Sequence, residues 1–150
     1  MKVAIISGSV YGTAEEVARH AAKILNAAGH ETLHNPRASL ADVLAFEPQA
    51  FLAVTSTTGM GELPDNLQPL YSMIRDQLPG AWRGLPGAVI ALGDASYGDT
   101  FCGGGEQMHE LFGELGLRVV LPMLRLDASE TVTPETDAEP WLKELVSALR

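Results

Sequence analysis

Short apolar runs and spaced apolar stripes take turns along the whole chain. VAIIS (Val3 to Ser7), FLAVTS (Phe51 to Ser56), AVIALGD (Ala88 to Asp94) and LRVVLPM (Leu117 to Met123) are continuous runs, the pattern of strands buried on both faces. HETLH (His30 to His34) reads as a further strand. Between the runs the spacing changes. From Thr13 the apolar positions are Ala14, Val17, Ala18, Ala21, Leu25 and Ala28, one face of a helix that Gly29 stops. Pro64 to Gln77 reads as a helix opened by proline, with Leu67, Leu70, Tyr71 and Ile74 on one side. Glu106 to Leu115 is another helix, ended near Gly116. Ala138 to Leu149 is the last, with Trp141, Leu142, Leu145 and Leu149 facing inward. The polar, turn-rich stretch Asp127 to Asp137 reads as a surface loop. Strands alternating with helices predict an α/β fold, its parallel sheet covered by helices on both faces.

In open parallel sheets, ligands gather beyond the carboxyl ends of the strands. Three loops occupy such places: SGSVYGT (Ser7 to Thr13), TSTTGMGELPDN (Thr55 to Asn66) and GDASYGDTFCGGG (Gly93 to Gly105). All are rich in glycine, serine and threonine. The first leads straight into a helix, whose unpaired N–H groups and partial positive charge favour an anion. Gly8 and Gly12 let the backbone turn closely, and Ser9 and Thr13 add hydroxyl donors, so a phosphate can be solvated without a cation. A nucleoside triphosphatase loop would place lysine directly after its second glycine, where this chain has Thr13, and the G-x-G-x-x-G pattern is absent. A phosphate monoester is the better match; the competing reading is an ordinary helix cap by Ser9 or Thr13. In the third loop Tyr97, between Ser96 and Gly98, reads either as a stacking aromatic for a flat ligand or as an incidental surface residue. In the second, Gly59 and Gly61 around Met60 let backbone approach the edge of a ring system. A phosphate site beside a planar-ring site describes a mononucleotide.

Composition narrows the setting. At 150 residues, 46% hydrophobic, the chain is expected to form one folded domain. A formal net charge of −9 argues against nonspecific nucleic-acid binding and suits either a basic partner or solubility alone. Cys102 is the only cysteine, which fits a reducing compartment, and MKVAIISGS lacks the pattern of a signal peptide, so a cytoplasmic protein is expected.

The three loops together resemble a known family. GSVYGTAEEVA (Gly8 to Ala18) looks like the phosphate loop of flavodoxins and of the FMN domains of diflavin reductases. STTGMGELPDN (Ser56 to Asn66) resembles their second flavin loop, and LGDASYGDTFCGGG (Leu92 to Gly105) their third. The short form, with PDN and DTFCG, is most similar to the MioC-type flavodoxins. The resemblance implies a three-layer α/β/α fold with a five-stranded parallel sheet in the order 2-1-3-4-5. It also implies a single FMN-binding domain over residues 1–150. The phosphate contacts it implies are Ser9, Gly12 and Thr13, with backbone N–H groups from Val10 to Ala14; Tyr11 departs from the hydroxyl that many relatives carry. Tyr97 matches the outer stacking aromatic. Thr58 stands where many relatives have an inner one, so Thr58 and Met60 are expected to cover that ring face. The wider implied FMN set adds Thr57, Gly59, Gly61, Gly93, Asp94, Asp99, Phe101 and Cys102. The peptide after Gly59 tunes the redox steps by turning its carbonyl toward the flavin, a movement that glycine makes cheap. No catalytic residue and no metal ligand is implied.

The expected function is therefore a low-potential FMN electron carrier rather than an enzyme. The resemblance implies a ferredoxin/flavodoxin reductase as donor and client redox enzymes with a basic face, a radical enzyme such as biotin synthase among the candidates. A monomer that makes transient complexes is expected. Glu62, Asp65, Asp94, Asp99 and Glu106 lie in or beside the loops and disfavour added negative charge, or are simply solvated acids. Two other classes stay open: an NAD(P)H-dependent quinone or azo reductase, and a flavin-free regulatory module of the same fold. Against the last, the first strand ends at Ser7 rather than at the aspartate that a receiver-like module needs. Cys102 reads as a packed residue behind the third loop, with a redox thiol as the alternative. His30 and His34 follow the Gly29 stop, and a strand there argues against a metal pair.

Overall fold

The computed structural model describes residues 1–10, 12–57, 62–93, 102–127 and 133–149. Six strands form one parallel sheet: β1 (Lys2–Gly8), β2 (Glu31–His34), β3 (Ala50–Thr55), β4 (Pro86–Gly93), β5 (Arg118–Val119) and β6 (Leu124–Asp127). The order is β2-β1-β3-β4-β5, with β6 also on β4. The expected order therefore holds, but the fifth strand does not run unbroken over Leu117 to Met123. β5 pairs Gly87 with Val119, and β6 pairs Ile90 with Leu124. β4 thus has two residues between these pairs where the other chain has four, Val120 to Met123. β3 holds the opposite edge of β4, so β5 and β6 are one sheet position interrupted by a two-residue bulge. Pro122 lies in the bulge, where it breaks no ladder bond, and its carbonyl accepts from Trp141 Nε1 at 3.0 Å.

Strand alternation sorts the core into two layers. Val3, Ile5, Leu52, Val54, Ala88 and Ile90 face α1 (Thr13–Ala27) and α6 (Glu139–Ala148). Ala4, Ile6, Phe51, Ala53 and Val89 face α2 (Leu40–Phe46), α3 (Gln68–Gln77) and α4 (Gly103–Leu115). On that second face Trp82, from a short turn of helix at Gly80–Trp82, stacks tilted on Phe51 with ring centroids 4.7 Å apart.

The helix ends differ instructively from the sequence expectations. α1 stops as expected: Gly29 is left-handed at φ 95°, and His30 N–H reaches back to Leu25 C=O. α2 was not anticipated, although Ser39 and Asp42 form a reciprocal capping box ahead of it. α3 begins at Gln68, not at Pro64; Pro64 opens a turn closed by Leu67 N–H, and Pro69 has no N–H with which to extend the helix backwards. α4 begins at Gly103, three residues before Glu106, so Gly103 to Gly105 belong to the helix and not to the loop. Within the expected surface loop a short helix, α5 (Pro134–Asp137), is started by a proline at its first position. The inner face of α6 is Leu142, Leu145 and Val146, followed by Leu149, while Trp141 packs at its edge. No helix among the described residues is long and apolar enough to cross a membrane.

Candidate functional site

The carboxyl end of β1 runs into α1 through a turn built from short polar contacts. Gly12, the residue before α1, has φ 89°, a left-handed conformation that favours glycine, and no described residue lies within 4 Å of where a Cβ would stand. Its N–H donates to Ser9 Oγ at 2.7 Å. Glu16 N–H to Gly12 C=O then makes the first helical bond, and no side chain caps the turn. Ser9 Oγ thus serves the amide of Gly12, ahead of the helix, and no side-chain cap is made at Gly12 itself. The N–H groups of Val10, Thr13 and Ala14 have no acceptor among the described residues. Val10 and Thr13 are exposed, and Ser9, already accepting through Oγ, keeps its hydroxyl proton as a donor. These are neutral dipoles gathered at the positive end of a fifteen-residue helix, a donor set that fits a phosphate monoester.

The β1 end is anchored from two sides. Asn66 Oδ1 accepts from Ser9 N–H at 2.9 Å, and Asn66 Nδ2 donates to Ser7 C=O at 3.1 Å and to Pro36 C=O at 2.9 Å. Ser56 N–H and Oγ both donate to Gly8 C=O, at 2.9 and 3.3 Å. A Cβ on Gly8 would stand 2.8 Å from Thr55 Oγ1 and 2.9 Å from Leu67, so only glycine passes there. Ser7, buried, shares a hydrogen bond of 3.1 Å with His34 Nε2. Burial is the main force holding the His34 pKa below its ordinary value; Glu15 opposes the shift and Arg19 adds to it.

Beyond the end of β4, Thr57 meets the start of α4. Thr57 Oγ1 donates to Leu92 C=O and accepts from Gly104 N–H, both at 3.0 Å. The hydroxyl of Thr57 therefore braces β4 against α4, and with its proton committed to Leu92 C=O it could meet a ligand only as an acceptor. Cys102, just before α4, is buried; its thiol reaches Ala91 C=O at 3.7 Å, and burial raises its pKa. Burial and a raised pKa both favour the packed reading of Cys102 over the redox thiol. Glu106 is exposed and pairs with Arg125 at 3.1 Å.

The structure brings Ser9, Val10, Gly12, Thr13 and Ala14 together at one turn, with Thr57, Gly93 and Cys102 at the neighbouring strand ends. Tyr11, Thr58, Gly59, Met60, Gly61, Asp94, Tyr97, Asp99 and Phe101 lie outside the described residues. Sequence reasoning missed Asn66 as a contributor, because its partners are 57, 59 and 30 residues away.

Known proteins with this architecture agree. The profile of the flavodoxin family (Flavodoxin) matches residues 5–141. Flavodoxin YqcA of Escherichia coli is 42% identical over 143 residues, 95% of each chain. Protein MioC of the same organism is 37% identical over 150 residues, covering 99% of this chain and 98% of its own. A cysteine-to-alanine mutant of flavodoxin from Pseudomonas aeruginosa superposes with a TM-score of 0.96 at 78% identity, covering 99% of both chains. FMN is the cofactor of this family, and electron transfer its work. A fold of order 2-1-3-4-5, an uncapped helix start beyond its first strand and a match over nearly the whole length lead to one conclusion: the chain belongs to the flavodoxin family.

Proposed function

We propose that this chain is a cytoplasmic, low-potential one-electron carrier that holds one FMN without a covalent bond. It takes electrons from a ferredoxin/flavodoxin-type reductase, passes them to client enzymes and converts no substrate of its own. Residues 1–150 act as a single FMN-binding domain. The observation that carries the reading is the start of α1, where N–H groups and hydroxyls converge with no side-chain cap at Gly12 and no lysine or arginine from Ser7 to Thr13.

FMN supplies the one-electron chemistry; the chain sets where it sits and how costly added charge is. Ser9, Gly12 and Thr13, with the amides of Val10 and Ala14, would hold the phosphate. A net charge of −9 disfavours an anionic reduced flavin and favours a client with a basic docking face, through long-range attraction that is strongest at low salt. Radical enzymes of the biotin synthase kind suit such a donor.

An anaerobic redox titration of the flavin-loaded protein tests this. Two one-electron steps are expected, the second at a clearly lower potential than the first. Coincident steps would overturn the carrier reading. NADPH added alone should leave the flavin oxidised; direct bleaching would instead make the protein a reductase.

A further inference from the structure

Among the described residues, the side chain of Asn66 makes three hydrogen bonds, all to backbone groups. One acceptor takes Ser9 N–H, and two donors serve Ser7 C=O and Pro36 C=O. The three contacts join the loop after β1, the segment after β2 and the turn before α3. Only a side chain with both a carbonyl and an amino group at this length can make all three. Aspartate would offer oxygen to two carbonyls, and alanine would leave three part-buried backbone groups without this partner.

Resting on the reading that FMN phosphate sits at the start of α1, we propose that Asn66 is a positioning residue for phosphate recognition. It turns Ser9 N–H inward, away from the ligand, and so fixes the peptide from which the loop swings out. Val10 follows with an amide lacking an acceptor among the described residues, and Ser9 Oγ is set to receive Gly12 N–H. The donors of the cradle are thus arranged before any anion arrives, which spares the cost of ordering them on binding. Because α3 begins only at Gln68, Asn66 lies in the turn that precedes it, with its side chain against β1.

Dissociation constants for FMN and for riboflavin, which lacks only the phosphate, separate positioning from general damage. The full chain, stripped of flavin, is compared with Asn66→Asp and Asn66→Ala, alongside flavin-free urea unfolding. FMN binding is expected to weaken about tenfold or more, the scale of one net hydrogen bond, with Asn66→Asp the weaker. Riboflavin binding is expected to change less than about threefold, because it takes nothing from the cradle. Equal losses for both ligands, or no loss of FMN, would overturn the proposal. If neither variant folds, hydrogen exchange at the Ser9 amide of the flavin-free natural chain decides. Protection supports a loop already set by Asn66; exchange at the unprotected rate refutes it. Coincident redox steps in a protein that still binds FMN would remove the carrier reading and leave this result standing.

Discussion

The starts of α1 and α4 occupy equivalent places, each just beyond a central strand, and are used in opposite ways. Both are preceded by a left-handed residue, Gly12 at φ 89° and Cys102 at φ 58°, and neither has a side-chain cap. At α1 no described residue stands within 4 Å of where a Cβ on Gly12 would be, and the amides of Thr13 and Ala14 lack acceptors among the described residues. At α4 the protein fills the end itself. Thr57 Oγ1 takes the Gly104 N–H, a Cβ on Gly104 would stand 2.5 Å from Ser56 C=O, and one on Gly105 would stand 2.2 Å from Ala91 Cβ. A helix dipole is present at both ends, so the dipole alone does not make a site. What sets the α1 end apart is room, together with amides that no described residue uses. The two glycine-rich stretches look alike in composition, yet one is glycine for its backbone angle and the other because two backbones touch.

The largest effect should come from breaking the closed end. Gly105→Ala places a methyl group inside contact distance of a central strand, and overpacking of this kind costs about 1–3 kcal/mol or more. In a domain of this size Tm should fall by about 5 °C or more. Gly12→Ala meets no neighbour and carries only the strain of positive φ, about 1–2 kcal/mol. Thermal unfolding of the two flavin-free variants checks the ranking. Equal losses would mean that the two ends are not packed differently.

A smaller effect is expected at the brace between them. Thr57→Val keeps the shape of the side chain but removes the acceptor of Gly104 N–H and the donor to Leu92 C=O. The cost should be about 1–2 kcal/mol in urea unfolding, mainly from the stranded Gly104 amide. A neutral result would show that α4 is held by packing alone.

What was legible in the sequence follows from range. β1, β3 and β4 were readable because both faces are covered, so nearly every position between their ends is apolar. The α1 start was readable because its hydroxyls, its glycines and its helix are neighbours in the chain. α2 escaped because only Leu40 and Val43 are buried in it; its one local signal was Ser39 three residues before Asp42. The run Leu117 to Met123 looked continuous because the bulge is itself apolar, with Pro122 as the only warning. Gly103 to Gly105 read as loop because their reason is Ala91 and Ser56, which no local pattern shows. Asn66 was hidden in the same way: an asparagine in a turn looks like turn chemistry until its distant partners are known.

The smallest predicted effect tests whether the open end is also the pH-sensitive one. His34 is held by Ser7 at the tip of β1, with Glu15 and Arg19 of α1 as the charges that act on it. Burial lowers its pKa below the ordinary value near 6.5, so the native state prefers the neutral ring. The unfolded chain then binds the proton more readily than the native one. The stability that His34 contributes is therefore complete above about pH 6.5 and is lost as pH falls through the lower native value. His34→Gln keeps a polar group near Ser7 without titrating. Urea unfolding of the flavin-free protein should show the natural chain losing more stability than the variant on acidification from about pH 7. Thr57→Val, at the closed end, should leave that difference unchanged, since its brace contains no ionising group. Parallel acid limbs for the natural chain and His34→Gln would show that His34 titrates as it does in the unfolded state, and the β1 end would then owe nothing to a neutral imidazole.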